Sequence, residues 1–368
     1  MHSVKGGRRG LKSNDFISQL PEDVLLVIMS LLSLKDAVVT GSLSTRWRFL
    51  WCKLHKLEFD AGETLNDIVT DRKLLREARS KFFKQVNDVI ESYNQPVIQH
   101  VRIRFDLYAG NAEVIDKWLQ FAADKRVEML ELDFMKHGIK IRDSFFNYDF
   151  PFRLSDRNIE HLFEWPSSAV AVVELISLKK LVLKSVNVSD AILEELLINS
   201  PQLEMLCIHR SAYLTHVEQS LILASIPELP NVKNLRLTIG GHEDDSLLEV
   251  ASLANSCPSL EAFQIKLLWI SPIRRRRDVR RDSTHRHKYL NLLEIQGYYG
   301  GGSDLELVAY IIDNAVALKE IWIDPRCQAR KGTPTSMRFS KRTEKTARYF
   351  AKRQLQPLTP QGVKLVIL

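Results

Sequence analysis

The chain has 368 residues, of which 45% are hydrophobic, and this composition is typical of a folded globular protein with two or more structural units. No apolar run approaches the roughly 18 to 20 residues that cross a bilayer, and the first twelve residues lack the apolar centre of a secretory signal. We therefore expect a soluble, intracellular protein of the nucleus, the cytoplasm or both, without a membrane partner.

Catalytic and metal-binding patterns are missing from the sequence. The ten histidines form no HExxH pair, and neither a GxSxG elbow nor a P-loop occurs. The cysteines lie far apart and without zinc-ligand spacing, which favours small buried side chains over disulfides, a zinc site or a nucleophile. These cysteines are Cys52, Cys207, Cys257 and Cys327. We expect no catalytic residue, metal or cofactor.

Two helices are predicted after a basic leader, residues 1–14, which we expect to be disordered. Pro21 suits the first helical position, and Glu22 and Asp23 place negative charge at the positive end of the helix dipole. Ser33, followed by Asp36 three residues later, predicts the start of a second helix.

A third helix is predicted from Ser44, which can cap it, with Trp47, Leu50 and Trp51 on one face. Three helices within residues 15–60 carry more apolar side chains than a unit of that size can bury, because a unit of fewer than about 50 residues is marginal even with an ideal core. The excess predicts a partner.

The stretch Ile17 to Trp51 resembles the plant-type F-box. It opens with Leu20-Pro21-Glu22-Asp23-Val24-Leu25 and ends with Leu43-Ser44-Thr45-Arg46-Trp47-Arg48-Phe49-Leu50-Trp51. In that family these helices bind a Skp-type adaptor, which links the protein to a cullin and a RING subunit in a ubiquitin ligase. The resemblance implies that the adaptor-binding residues are Leu20, Pro21, Val24, Leu25, Ile28, Leu31, Leu32, Val38, Leu43, Trp47, Leu50 and Trp51.

A repeat with the template apolar, two residues, apolar, one residue, apolar recurs behind these helices, and we assign residues 61–286 to leucine-rich repeats and the last two segments to terminal repeats that follow them. Nine segments fit it, centred on residues 57, 101, 130, 181, 206, 235, 263, 293 and 321, and the later spacing is close to that of leucine-rich repeats. The alternation predicts short strands with one buried face, and helices are predicted between some strands, for instance after Ser189 and after Ser303. Between residues 127 and 178 one repeat is degenerate or interrupted.

Residues 287–325 resemble the FBD domain at the end of many plant F-box proteins, and a basic segment, 326–368, follows. The resemblance rests on Leu293-Glu294-Ile295-Gln296-Gly297, Gly301-Gly302-Ser303-Asp304-Leu305-Glu306-Leu307-Val308 and Leu318-Lys319-Glu320-Ile321-Trp322-Ile323-Asp324-Pro325. The run Gly300 to Gly302 could hold an anion at a helix start, although loop chemistry favours a simple turn. Trp322 alternates with Ile321 and Ile323 and should point away from their buried face.

The sequence therefore predicts an α/β protein, a three-helix F-box followed by a curved leucine-rich-repeat solenoid with parallel strands on its concave face. The implied function is non-catalytic substrate recognition in a Skp-cullin-F-box ubiquitin ligase, with an unidentified protein target on the repeats.

An alternative is binding of nucleic acid or an inositol phosphate by a basic loop near 271–286, because arginine forks suit phosphate oxygens. The run could equally be a nuclear import signal. Interspersed aspartates and few aromatic side chains do not favour nucleic acid as the main partner. The basic side chains are Arg274, Arg275, Arg276, Arg277, Arg280 and Arg281.

Overall fold

A computed structural model describes residues 16–62, 64, 72–134, 147–150, 175–209, 211, 228–241, 247–269, 285–326 and 341–368. Its centre is a ten-stranded parallel sheet whose strands follow one another in chain order, beside a small parallel pair formed by β4 (Tyr148–Asp149) and β6 (Val186–Asn187). The ten strands are β1 (Lys56–Asp60), β2 (His100–Arg104), β3 (Met129–Asp133), β5 (Lys180–Lys184), β7 (Met205–His209), β8 (Asn234–Gly241), β9 (Ala262–Trp269), β10 (Leu292–Gln296), β11 (Glu320–Asp324) and β12 (Lys364–Ile367).

One apolar residue from each strand lies in a single row across the large sheet. The row is Leu57, Val101, Leu130, Leu181, Leu206, Leu235, Phe263, Leu293, Ile321 and Leu365. The first nine, which are the nine centres of the sequence template, are at most 2% exposed, so the predicted repeat is confirmed. The tenth strand was not predicted, because Gly362 stands where the template needs an apolar residue.

The helices are α1 (Glu22–Ser30), α2 (Leu34–Thr40), α3 (Arg72–Ser92), α4 (Ala112–Asp124), α5 (Asp190–Ile198), α6 (Leu248–Asn255), α7 (Gly302–Asn314) and α8 (Lys341–Leu355). From α3 onwards they connect strands, and their apolar sides join the core beneath the sheet. Trp118 of α4 is buried there, and its indole N–H donates to Asn87 of α3 at 2.8 Å. The predicted α/β solenoid is confirmed. None of the described helices is both long and apolar enough to span a membrane.

Two predicted helix starts had different outcomes. Ser189 caps α5 as expected, since its hydroxyl accepts from the N–H of Ile192 at 3.3 Å. The helix predicted after Ser303 is present as α7, but its N-cap is Gly301 and it begins at Gly302, one residue before Ser303.

The turn before α7 is organised around the buried carboxylate of Asp304. The carboxylate accepts from the N–H groups of Tyr299, Gly300 and Leu305 at 2.5, 2.8 and 3.1 Å. Burial raises the pKa of Asp304 to about 6, and these N–H donors oppose that rise. The glycine run therefore forms a turn whose N–H groups bind the chain's own carboxylate, which leaves no need for an external anion.

The C-terminal helix α8 packs directly on this turn. Tyr298 donates its hydroxyl to Oε1 of Gln354 at 2.8 Å, and Nε2 of Gln354 donates to the carbonyl of Gly300 at 3.2 Å. Gly300 has a φ of +83°, and a Cβ built there would lie 2.5 Å from the Cβ of Phe350. The predicted basic tail thus includes a helix that belongs to the last repeats.

The interrupted repeat is described only in part. Tyr148 and Phe150 are buried, and the Tyr148 hydroxyl donates to the carboxylate of Asp116 on α4, which fixes this segment against the solenoid. The rest of the aromatic stretch, the leader 1–14 and the arginines of the basic loop lie outside the described residues.

Gly300→Ala should lower the free energy of unfolding of the full chain by about 2 to 5 kcal/mol. A residue with a Cβ in the left-handed conformation costs about 1 to 2 kcal/mol, and overpacking against Phe350 costs about 1 to 3 kcal/mol. Urea unfolding measures the loss. Gly301→Ala is a matched control, since its φ is −79° and its new Cβ would meet only ordinary contact at 3.4 Å. Equal losses for the two variants would contradict the packing described here.

Candidate functional site

The N-terminal helices begin and end close to where the sequence predicts. Pro21 immediately precedes α1 and its carbonyl accepts from the N–H of Leu25 at 3.1 Å, so it caps the helix and does not occupy the first turn. The Ser33 hydroxyl accepts from the N–H of Asp36 at 3.1 Å and donates to its carboxylate at 2.7 Å, which confirms the predicted start of α2.

The third predicted helix is instead a series of turns followed by a short 3-10 helix, Leu50–Lys53. The Ser44 carbonyl accepts from Trp47 N–H at 3.2 Å, but the Ser44 hydroxyl has no partner among the described residues. Gly41 ends α2 where a Cβ would lie 3.1 Å from the carbonyl oxygen of Arg48. The turns therefore pass close to the end of α2, where a side chain at position 41 would crowd the backbone of Arg48.

Four of the residues predicted to bind an adaptor are buried within the chain. Leu25, Trp47, Leu50 and Trp51 are at most 8% exposed and belong to the core shared with the first repeat. In the free chain these four side chains lie beneath the exposed surface, and their direct contact with an adaptor stays a prediction.

The remaining predicted residues are accessible. Leu20 and Ile28 are half-buried, and the exposed members are Pro21, Val24, Leu31, Leu32, Val38 and Leu43. Sequence reasoning missed five further exposed apolar side chains, namely Phe16, Ile17, Val27, Val39 and Phe49. Val27 could have been found, because it lies four residues before Leu31 and so shares its helical face.

Exposed large apolar side chains are concentrated in this region. Ten of the 18 in the described part of the chain lie between residues 16 and 49. We call these ten the N-terminal apolar surface: Phe16, Ile17, Val24, Val27, Leu31, Leu32, Val38, Val39, Leu43 and Phe49. A surface of this kind marks an interaction site in a soluble protein.

The face of the large sheet opposite its helices carries the outward side chains of the strands, and on the first four strands these are paired. Arg102 lies 3.7 Å from Asp60 and 3.5 Å from Glu131, and Lys184 lies 3.0 Å from Asp133. Opposite charges on neighbouring strands are thus paired with one another, which leaves little unpaired charge on these strands for a ligand.

The pairing stops at β7, where the same face forms a depression of about 390 Å³ across β7 to β10. Its polar lining is Cys207, His209, Arg236, Thr238, Gln264, Lys266, Glu294 and Gln296. Gln264 and Gln296 each donate to the Glu294 carboxylate at 2.8 Å. Trp322 lies on this face too, as predicted, and its indole N–H donates to Glu320 at 2.7 Å.

The cysteines and histidines form no reactive centre in the described ranges. Burial raises the pKa of the Cys52 and Cys207 thiols, and raises that of Cys257 to about 12, which keeps all three protonated at neutral pH. Groups of three or more potential metal ligands do not occur among the residues that the structure describes.

Trp47→Ala should destabilise the free chain by about 3 to 5 kcal/mol, because it removes a buried indole. Phe49→Ala, two residues away and 65% exposed, is the matched control and should change stability by less than about 0.5 kcal/mol. Thermal unfolding of both variants checks the assignment. Equal melting temperatures would show that Trp47 is not part of the core.

Three family models match the chain in the order found in the structure. The F-box domain matches residues 17–59, the LRR repeats of the FBD-associated F-box protein At5g56370 match 115–226, and the FBD matches 287–323. These ranges include α1 and α2, the central strands, and β10 to β11 with the Asp304 turn.

The names of curated relatives from Arabidopsis thaliana include the same three parts. The F-box/FBD/LRR-repeat protein At4g26340 is 29% identical over 274 residues, which cover 67% of this chain and 59% of the relative. The putative F-box/FBD/LRR-repeat protein At4g13965 is 30% identical over 226 residues, which cover 60% of this chain and 48% of the relative. The chain thus spans about half the length of the curated relatives it matches. The chain therefore carries an F-box, leucine-rich repeats and an FBD in this order, and it is similar to plant proteins named for the same three parts.

Proposed function

We propose that this chain is the substrate-recognition subunit of a Skp-cullin-F-box ubiquitin ligase. Its N-terminal apolar surface binds the Skp-type adaptor, and through it a cullin, while the open sheet face of the repeats binds a protein target. The observation that carries the proposal is the concentration of exposed apolar side chains between residues 16 and 49.

Two side chains of this surface are largely uncovered by the rest of the described chain. Val27 and Leu31 are 61% and 81% exposed, and they lie one helical turn apart, Val27 in α1 and Leu31 at its C-cap. Burying each would contribute roughly 1.5 to 3 kcal/mol. Two such anchors at the centre of an interface supply a large part of a micromolar or tighter affinity.

The junction between the F-box and the repeats also supports the proposal, because it couples the two surfaces without a linker. Two residues separate the 3-10 helix from β1, and the His55 carbonyl accepts from the N–H groups of Gln99 and His100 at 2.8 and 3.1 Å. The Tyr93 hydroxyl donates to the Leu54 carbonyl at 2.8 Å. A target on the repeats would therefore be held at a defined position relative to the adaptor.

F-box and leucine-rich-repeat families are typically non-catalytic adaptors. We propose the same for this chain, so ubiquitin transfer would come from the rest of the assembly. We further propose that it acts in the nucleus, the cytoplasm or both.

The double variant Val27→Asp, Leu31→Asp should bind a purified Skp-type adaptor at least about 30-fold more weakly than the unmodified full chain. Hot-spot residues of an interface contribute about 2 kcal/mol or more each, which explains a loss of this size. Biolayer interferometry measures the affinity, and a urea titration checks that the variant folds.

The matched control replaces Ile198 and Val316 with Asp. These side chains are 56% and 63% exposed but lie on the repeats, so adaptor affinity should stay within about twofold, which corresponds to less than 0.5 kcal/mol. A folded Val27/Leu31 variant that binds the adaptor like the unmodified chain would exclude the proposed interface.

A further inference from the structure

We infer that the depression across β7 to β10 is a recognition site for a short, acidic segment of the target protein, with Arg236 as the residue that binds its carboxylate or phosphate group. This inference rests on the proposed function and specifies which part of the open sheet face binds the target, and by what chemistry.

The position of Arg236 in its row distinguishes it from Arg102. Its lateral neighbours in the register are Cys207 on β7 and Gln264 on β9, neither of which carries a negative charge. Arg102, in the same row on β2, lies between Glu58 and Glu131. Arg236 is exposed and forms no ion pair with another described residue, so its guanidinium is available for a ligand.

The described lining of the depression contains both positive and negative side chains. Arg236 and Lys266 are its cations, and Glu294 is its carboxylate. Glu294 is already bound by the amides of Gln264 and Gln296. A ligand with negative charge complements such a surface.

The depression is wide enough for a short extended peptide. It crosses four strands, and at about 4.8 Å between neighbouring strands it spans roughly 14 Å. An extended peptide advances about 3.3 Å per residue, so about four residues would fit across it. A polar lining suits a peptide with hydrogen-bonding side chains better than an apolar small molecule. Arginine also binds carboxylate and phosphate oxygens through two parallel hydrogen bonds.

The test measures binding of the full chain to fluorescent peptide pools that are degenerate except for a central Glu, phosphoserine or Gln. We expect the Glu or the phosphoserine pool to bind at least about tenfold more tightly than the Gln pool, a difference of 1.4 kcal/mol. A preference for phosphoserine identifies a modified target, and a preference for Glu an unmodified acidic segment; either result supports the site.

Arg236→Glu and Arg236→Gln should remove this preference while leaving adaptor affinity unchanged. The matched control is Lys233→Glu, which makes the same charge change just before β8 and outside the depression, and it should keep the preference. Equal binding of all three pools, or equal effects of Arg236→Glu and Lys233→Glu, would overturn the inference. So would Arg236-dependent binding of single-stranded RNA without any acidic-peptide preference. Because adaptor binding is measured separately, the proposed function can stand if this site fails.

Discussion

The in-register apolar row across the parallel sheet is the constraint on which the rest of the structure depends. Each strand contributes one row residue, and a strand alone could not bury it, because a repeat covers its apolar edge only with its neighbours. The row runs from Leu57 to Leu365, so the strand that follows the F-box and the strand that follows α8 are parts of one core. Since side chains alternate along a strand, the same register aligns the outward residues into the rows that form the candidate target surface.

The two candidate surfaces follow from this arrangement in different ways. The repeats leave one face of the sheet without helices, where charges are paired on the first strands and Arg236, further along, forms no ion pair with another residue that the structure describes. At the other end, Trp47 and Trp51 are used to join the F-box to the first repeat. The exposed large apolar side chains of α1 and α2 are aliphatic, namely Val24, Val27, Val38 and Val39. The adaptor surface is therefore supported by the fold of the repeats and is not independent of it.

The repeat could be predicted well from the sequence because its template corresponds directly to a physical requirement. That requirement is alternating burial of side chains along a strand, repeated at a regular spacing. Sequence reasoning failed at β12, where Gly362 replaces an apolar residue, and at the third N-terminal segment, which forms turns and a short 3-10 helix packed close to Gly41. It also could not separate Leu25 from Val24, since adjacent helical residues of similar hydrophobicity differ only in what packs against them. The uncharged lateral neighbours of Arg236 could not be predicted at all, because they depend on which residues of distant segments come to lie beside it in the sheet.

The central claim is that the N-terminal apolar surface is open in the free chain and becomes buried by a Skp-type adaptor. Isothermal titration calorimetry of the two purified proteins at several temperatures tests it most directly, since burial of apolar surface on binding produces a negative heat-capacity change. The account predicts binding with a clearly negative heat-capacity change. Absence of binding at micromolar concentrations, or binding with a heat-capacity change near zero, would contradict it.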